Sequence, residues 1–131
     1  MPLPERPGFF SRWLPRVFGC HCRPDRSFFF RGRQLPLCAR CTGQLAGILL
    51  AVPWGAAFGF PPAWACGALL LPLAADGFLQ ALTPYESTNP RRLATGVLFG
   101  FGLAALFALS TRWVFLRGAA WGAALAGRGA L

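Results

Sequence analysis

With 131 residues the chain has room for one domain. Its composition excludes an ordinary soluble one: 55% of residues are hydrophobic and 13% charged, where soluble domains carry about a quarter charged residues. The net charge of +9 rests on 13 arginines, eight of which (Arg6, Arg12, Arg16, Arg23, Arg26, Arg31, Arg33, Arg40) precede residue 42. Arginines crowded beside apolar spans obey the positive-inside rule and attract anionic headgroups, so the expected partner is the lipid bilayer and no specific nucleic acid.

Residues 1–19 read as a basic interfacial leader. Phe9, Phe10, Trp13, Leu14, Val17 and Phe18 recur at helical spacing with Arg12 and Arg16 between them. Pro15 should kink or shorten this helix. The stretch has neither the uninterrupted apolar run nor the small-residue cleavage site of a secretory signal. Residues 20–41 are a cysteine-rich loop, predicted irregular, with turn signals at Pro24-Asp25 and Arg31-Gly32.

Residues 42–116 form the membrane bundle. Stretches 42–60 and 63–82 are each about the 20 residues needed to cross the hydrocarbon core. Pro61-Pro62 between them is a minimal turn that should set them antiparallel. After a polar loop at 83–92, a third span begins at Leu93 and is predicted to run past Arg112 to Leu116. The tail 117–131 is small and apolar, too short to span and expected to lie at the interface or fray. Gly43/Gly47, Gly55/Gly59 and Gly96/Gly100 are small-xxx-small pairs, which predict close helix packing. The expected fold class is therefore all-α, a small polytopic membrane helical bundle of about three transmembrane helices. An N-terminal cysteine-rich metal-binding loop precedes it.

That loop holds Cys20-His21-Cys22 and Cys38-Ala39-Arg40-Cys41, a C-x-C-x15-C-x2-C spacing close to that of a zinc ribbon. Spacing alone gives four thiolates for a tetrahedral site, with His21 able to replace one of them. Zinc is the expected ion, and other transition metals also suit these donors. Arg23, Arg26 and Arg40 would favour the thiolate forms. The same arginines would equally activate a redox thiol, and incidental thiols are the plain reading of the isolated Cys66.

Orientation follows from the arginines. An N-terminus on the cytoplasmic side places the first eight plus Arg91 and Arg92 inside, and leaves Arg112, Arg117 and Arg128 outside. The predicted location is a multi-pass protein of the cell membrane with its cysteines in a reducing compartment. There thiols bind metal or act in catalysis more often than they form structural disulfides. In that topology Asp76 and Gln80 fall in the inner third of the second span. An aspartate at this depth calls for a partner, a proton or a water-filled cavity. Ser87, Thr88, Asn89, Arg91 and Arg92 return on the same side, where Ser87, Thr88 and Asn89 also suit helix caps. Polar chemistry thus converges on one end of the bundle.

The run from Cys20-His21-Cys22-Arg23-Pro24-Asp25-Arg26-Ser27-Phe28 through Gln34-Leu35-Pro36-Leu37-Cys38-Ala39-Arg40-Cys41-Thr42-Gly43 resembles a prokaryotic membrane-protein family catalogued as domain of unknown function 2085. Asp76-Gly77, Gln80, Ser87-Thr88-Asn89, Arg92 and Thr95-Gly96 extend the resemblance over roughly residues 20 to 100. It implies a small multi-span helical protein and brings no activity with it. It also implies Cys20, His21, Cys38 and Cys41 as the ligand set, with Cys22 as the alternative ligand. Adjacent Cys20 and His21 on one ion would strain the backbone, which leaves His21 open to a supporting or proton-carrying role.

Three functions remain in view. The first is a zinc site that folds the loop or activates water, with Asp76, His21 or Gln80 as catalytic groups and Ser87, Asn89, Arg91, Arg92 and Arg26 binding a phosphate-bearing or lipid substrate. The second is a membrane thiol-disulfide oxidoreductase using Cys38 and Cys41. The third is a transport or assembly subunit, which three spans would form only as a homo-oligomer or with a membrane partner.

Overall fold

A computed structural model describes residues 8–21 and 24–129 of the chain. Helix α1 (Phe9–Val17) carries Pro15 within it and ends two residues later at Val17, with Phe18 as its C-cap. It leaves Phe9, Phe10, Trp13 and Val17 exposed. The cysteine segment is more regular than its sequence predicts. A 3-10 turn (Pro24–Arg26) leads into strand β1 (Ser27–Phe30), which pairs antiparallel with β2 (Arg33–Cys38). Arg31 and Gly32 join the strands with φ of 51° and 76°. Two successive positive φ values are the geometry that matches hairpin twist, and Gly32 takes its half without Cβ strain.

Among the described residues, three helices are long and apolar enough to cross a membrane. The first is α2 (Ala39–Phe58), which starts directly after β2. The second comprises α3 (Ala63–Ala68) and α4 (Leu71–Leu82), separated by a turn at Leu69 and Leu70. Pro72, at the start of α4, has no N–H to continue the ladder from α3, which accounts for the break. The third, α5 (Asn89–Arg128), is 40 residues long. It runs unbroken through Leu116, where the sequence predicts an end. Ala and Leu dominate residues 116–126 and no proline interrupts them, so helix propensity persists.

Helices α2 and α5 run parallel in close contact. A Cβ on Gly43 would meet the Leu93 carbonyl, and one on Gly47 the Val97 carbonyl. From the other side, Cβ atoms on Gly96 and Gly100 would meet the Arg40 and Gln44 carbonyls. Ala51 and Ala105 continue this small-residue seam and are fully buried. Two of the three glycine pairs therefore do what their spacing predicts. The third does not: Gly55 faces the Phe60 ring, and Gly59 lies outside the helix as its C-cap with φ 77°. The second span runs antiparallel and packs chiefly on α5, where the Cys66 carbonyl closes on Gly102. Large apolar side chains such as Leu49, Trp54, Phe58, Phe78 and Phe107 point outward. Small residues inside and large apolar ones outside suit lipid as the surrounding solvent.

Candidate metal centre and its polar neighbours

The cysteines reach one place from three directions. Cys20 follows α1 through Gly19, and its N–H bonds the Pro15 carbonyl at 2.8 Å, fixing it to the last turn of that helix. Cys38 ends β2, pairs in register with Ser27 and forms the N-cap of α2. Cys41 lies in the first turn of α2. The Thr42 hydroxyl donates back to the Cys38 carbonyl at 2.9 Å and braces this strand-to-helix turn.

The Sγ atoms of Cys20, Cys38 and Cys41 all lie within 4.8 Å of one another, close enough to share a metal ion. Tetrahedral zinc with Zn–S near 2.3 Å would set sulfurs about 3.8 Å apart, so at most about 1 Å of contraction brings them together. The Cys38 N–H donates to Cys20 Sγ at 3.3 Å, which ties the end of β2 to the segment after α1. The Cys38 thiol is pulled down from 9.0 to about 5, first by a hydrogen bond from the Cys41 thiol, with burial opposing. His21 is exposed, and its ring nitrogens lie outside the three-sulfur group. Cys22 and Arg23 lie outside the described residues.

Arg40, between Cys38 and Cys41, ties this centre to the bundle. Its Nη2 donates to Asp76 Oδ2 at 2.9 Å. The Gln80 amide, one turn along α4, donates to the same oxygen at 2.9 Å. Arg91 Nε stands 3.7 Å from Asp76 Oδ1, and Arg91 also donates to the Tyr85 hydroxyl at 2.7 Å. Asp76 is 2% exposed. Its oxygens face donors on three sides, the arrangement of a structural counter-charge more than that of a base facing substrate. Arg92 is 5% exposed and donates to Asn89 Oδ1 at 3.2 Å. Ser87 is equally buried, and its Oγ has no hydrogen-bond partner among the described residues. Arg26 pairs with its neighbour Asp25 at 3.8 Å.

Sequence reasoning thus placed Asp76, Gln80, Arg91 and Arg92 at one end of the bundle, and the structure gathers them there. It missed Arg40 as the partner of Asp76, and Tyr85 altogether. Arg40 had a signal, being the last charge before the charge-free first span.

The chain is 39% identical over 93 residues to an uncharacterised protein of Methanothermobacter thermautotrophicus, covering 66% of this chain and 82% of that one. It is 38% identical over 101 residues to an uncharacterised protein of Methanocaldococcus jannaschii, covering 71% of this chain and 65% of the relative. No solved structure matches. Residues 20–106 match the family described as predicted membrane protein, DUF2085. That segment takes in the cysteine hairpin, the arginine cluster and the glycine seam, and the chain belongs to this family.

Proposed function

We propose that this chain is a zinc-binding integral membrane protein whose metal, held by Cys20, Cys38 and Cys41, fixes the cysteine hairpin at the cytoplasmic end of the bundle. The observation that carries this reading is the convergence of three sulfurs from separate segments within 4.8 Å. His21 and Cys22 are the two candidate donors for a fourth position. When bound there, zinc would replace the packed core that so short a hairpin cannot build for itself. Arg40, inside the Cys38–Cys41 turn, would then be held on Asp76, so that loading the metal sets the geometry of the polar cluster. The cytoplasmic side rests on the arginine bias, and in that reducing compartment thiols bind metal more often than they form structural disulfides.

The test is elemental mass spectrometry on protein purified in mild detergent, beside a Cys38→Ser/Cys41→Ser variant. The expected result is about one zinc per chain, lost in the variant. A His21→Ala variant that keeps its zinc would assign the fourth position elsewhere. A second reading, thiol-disulfide exchange through Cys38 and Cys41, is favoured by the acidic Cys38 thiol beside a second sulfur. Metal-free protein with thiols that respond to redox poise would sink the zinc reading and promote this one.

A further inference from the structure

Helix α1 uses its sides differently. At about 100° per residue, Phe9, Trp13, Val17 and Phe10 fall together on one narrow arc. All four are between 54% and 72% exposed. Three of them form a continuous aromatic patch, with the Phe9 ring 5.8 Å from Phe10 and 5.9 Å from Trp13 between centroids. The helix packs against β2, and Leu14, Pro15 and Phe18, on the next arc round, are half-buried. Arg12 and Arg16 line the remaining edge, both exposed, and the helix carries no acidic residue.

The bundle fixes the level at which this helix stands. Arg40 is the last charge before the apolar run of α2, and Arg92 the last before that of α5. The two helices run parallel, with the Arg40 carbonyl packed on Gly96, which lies one turn inside Arg92. Cys38, two residues before Arg40, is therefore within about one turn of the level of Arg92. Helix α1 is tied to that point. The Cys38 N–H donates to Cys20 Sγ at 3.3 Å, and the Cys20 N–H donates to the Pro15 carbonyl at 2.8 Å. The helix is thus tethered where the apolar spans give way to their first charges, which is headgroup depth in a bilayer.

We propose that α1 is a docking surface for the bilayer leaflet on the cysteine side. Phe9, Phe10, Trp13 and Val17 seat among the upper acyl carbons, and Arg12 and Arg16 meet anionic phosphodiester headgroups. Aromatic rings settle at this boundary, and the alkyl stems of arginine let the guanidinium reach the phosphates. Charge selects the occupant. A second copy on the same face would bring Arg12 and Arg16 near their own kind, with no acidic residue in the helix to answer them. An anionic leaflet answers both. The surface uses no metal, so it stands apart from the zinc reading. It gives the segment ahead of the cysteines a lipid preference separate from that of the spans.

The test reconstitutes the full chain in nanodiscs of equimolar phosphatidylglycerol and phosphatidylcholine. The photo-crosslinker p-benzoylphenylalanine stands in place of Phe10 or of Val17, both exposed positions. Irradiation should give lipid adducts, resolved by mass, with phosphatidylglycerol exceeding phosphatidylcholine by about fivefold, the preference one arginine confers near an anionic surface. In the Arg12→Gln/Arg16→Gln background that ratio should fall to about one. Both side chains are exposed, so the fold should survive the change. A photoproduct joining two chains overturns the proposal in favour of a second copy. Absence of lipid adducts at both positions also overturns it, as does a lipid ratio that Arg12→Gln/Arg16→Gln leaves unchanged.

Discussion

An ionised carboxylate at the depth of Asp76 would cost about 2.5–3.5 kcal/mol if it stood alone. It does not stand alone: Arg40 and Gln80 donate to one oxygen at 2.9 Å, and Arg91 faces the other at 3.7 Å. The two arginines are unequal partners. Arg40 is 29% exposed by side chain and in hydrogen-bond contact, whereas Arg91 is 55% exposed and beyond hydrogen-bond reach. Asp76→Ala should therefore cost about 2–3 kcal/mol, leaving a half-buried guanidinium and an amide without their acceptor. Arg91→Ala should cost less than about 1 kcal/mol, because an exposed, long ion pair is worth little. Reversible unfolding in mixed micelles reads both, and equal losses would contradict the assignment of Arg40 as the main partner. The need for a partner is legible from Asp76 alone, as an acidic residue inside an apolar span. The partner itself is not legible, because it lies 36 residues away and only tertiary packing brings the two together.

At the scale of elements, the glycine seam between α2 and α5 couples the membrane core to the cysteine turn. Gly96 packs against the carbonyl of Arg40, and Arg40 sits between two of the candidate ligands. Gly96→Ala must push the backbone of α2 away, and the expected cost is about 1–3 kcal/mol for overpacking. Metal retention should fall with it, because the displaced segment carries Cys38 and Cys41. Gly118→Ala is the matched control: open space surrounds that position, so the change should be neutral or slightly stabilising. Thermal unfolding and metal content on both variants decide the matter, and equal behaviour would show that the seam does not bear on the turn.

The elements also show what sequence pattern carries and what it does not. Spans and glycine faces were readable because membrane burial imposes long, uniform signals. The hairpin was not, since strands of four and six residues give too short a pattern to stand out from a loop. The two-residue turn at Arg31-Gly32 was its one usable mark. Gly59 misled for the opposite reason: spacing made it a packing glycine, whereas its positive φ makes it a helix stop.

For the whole molecule, α5 fixes how the bilayer can sit. Its 40 residues extend about 60 Å, twice the hydrocarbon thickness of about 30 Å, so the helix cannot lie wholly inside. The stretch between Arg92 and Arg112 carries no charge and, at 19 residues, spans about 29 Å. Arg92 and Arg112 thus bracket the apolar slab. Trp113 stands just beyond it with Arg117 stacked on its ring at 5.3 Å, a pair suited to the interface. The remaining residues to Arg128 project on the side opposite the cysteines. Among the described residues, eight arginines (Arg12, Arg16, Arg26, Arg31, Arg33, Arg40, Arg91 and Arg92) gather on the cysteine side, against Arg112, Arg117 and Arg128 on the other. The orientation proposed from the positive-inside rule has the cysteine side in the cytoplasm and the end of α5 outside. Fusions placed after residue 131 test this directly: alkaline phosphatase should be active there and green fluorescent protein dark. The opposite pattern would put the thiols in an oxidising compartment. The case for zinc over disulfide exchange would then lose one of its two supports and rest on sulfur geometry alone.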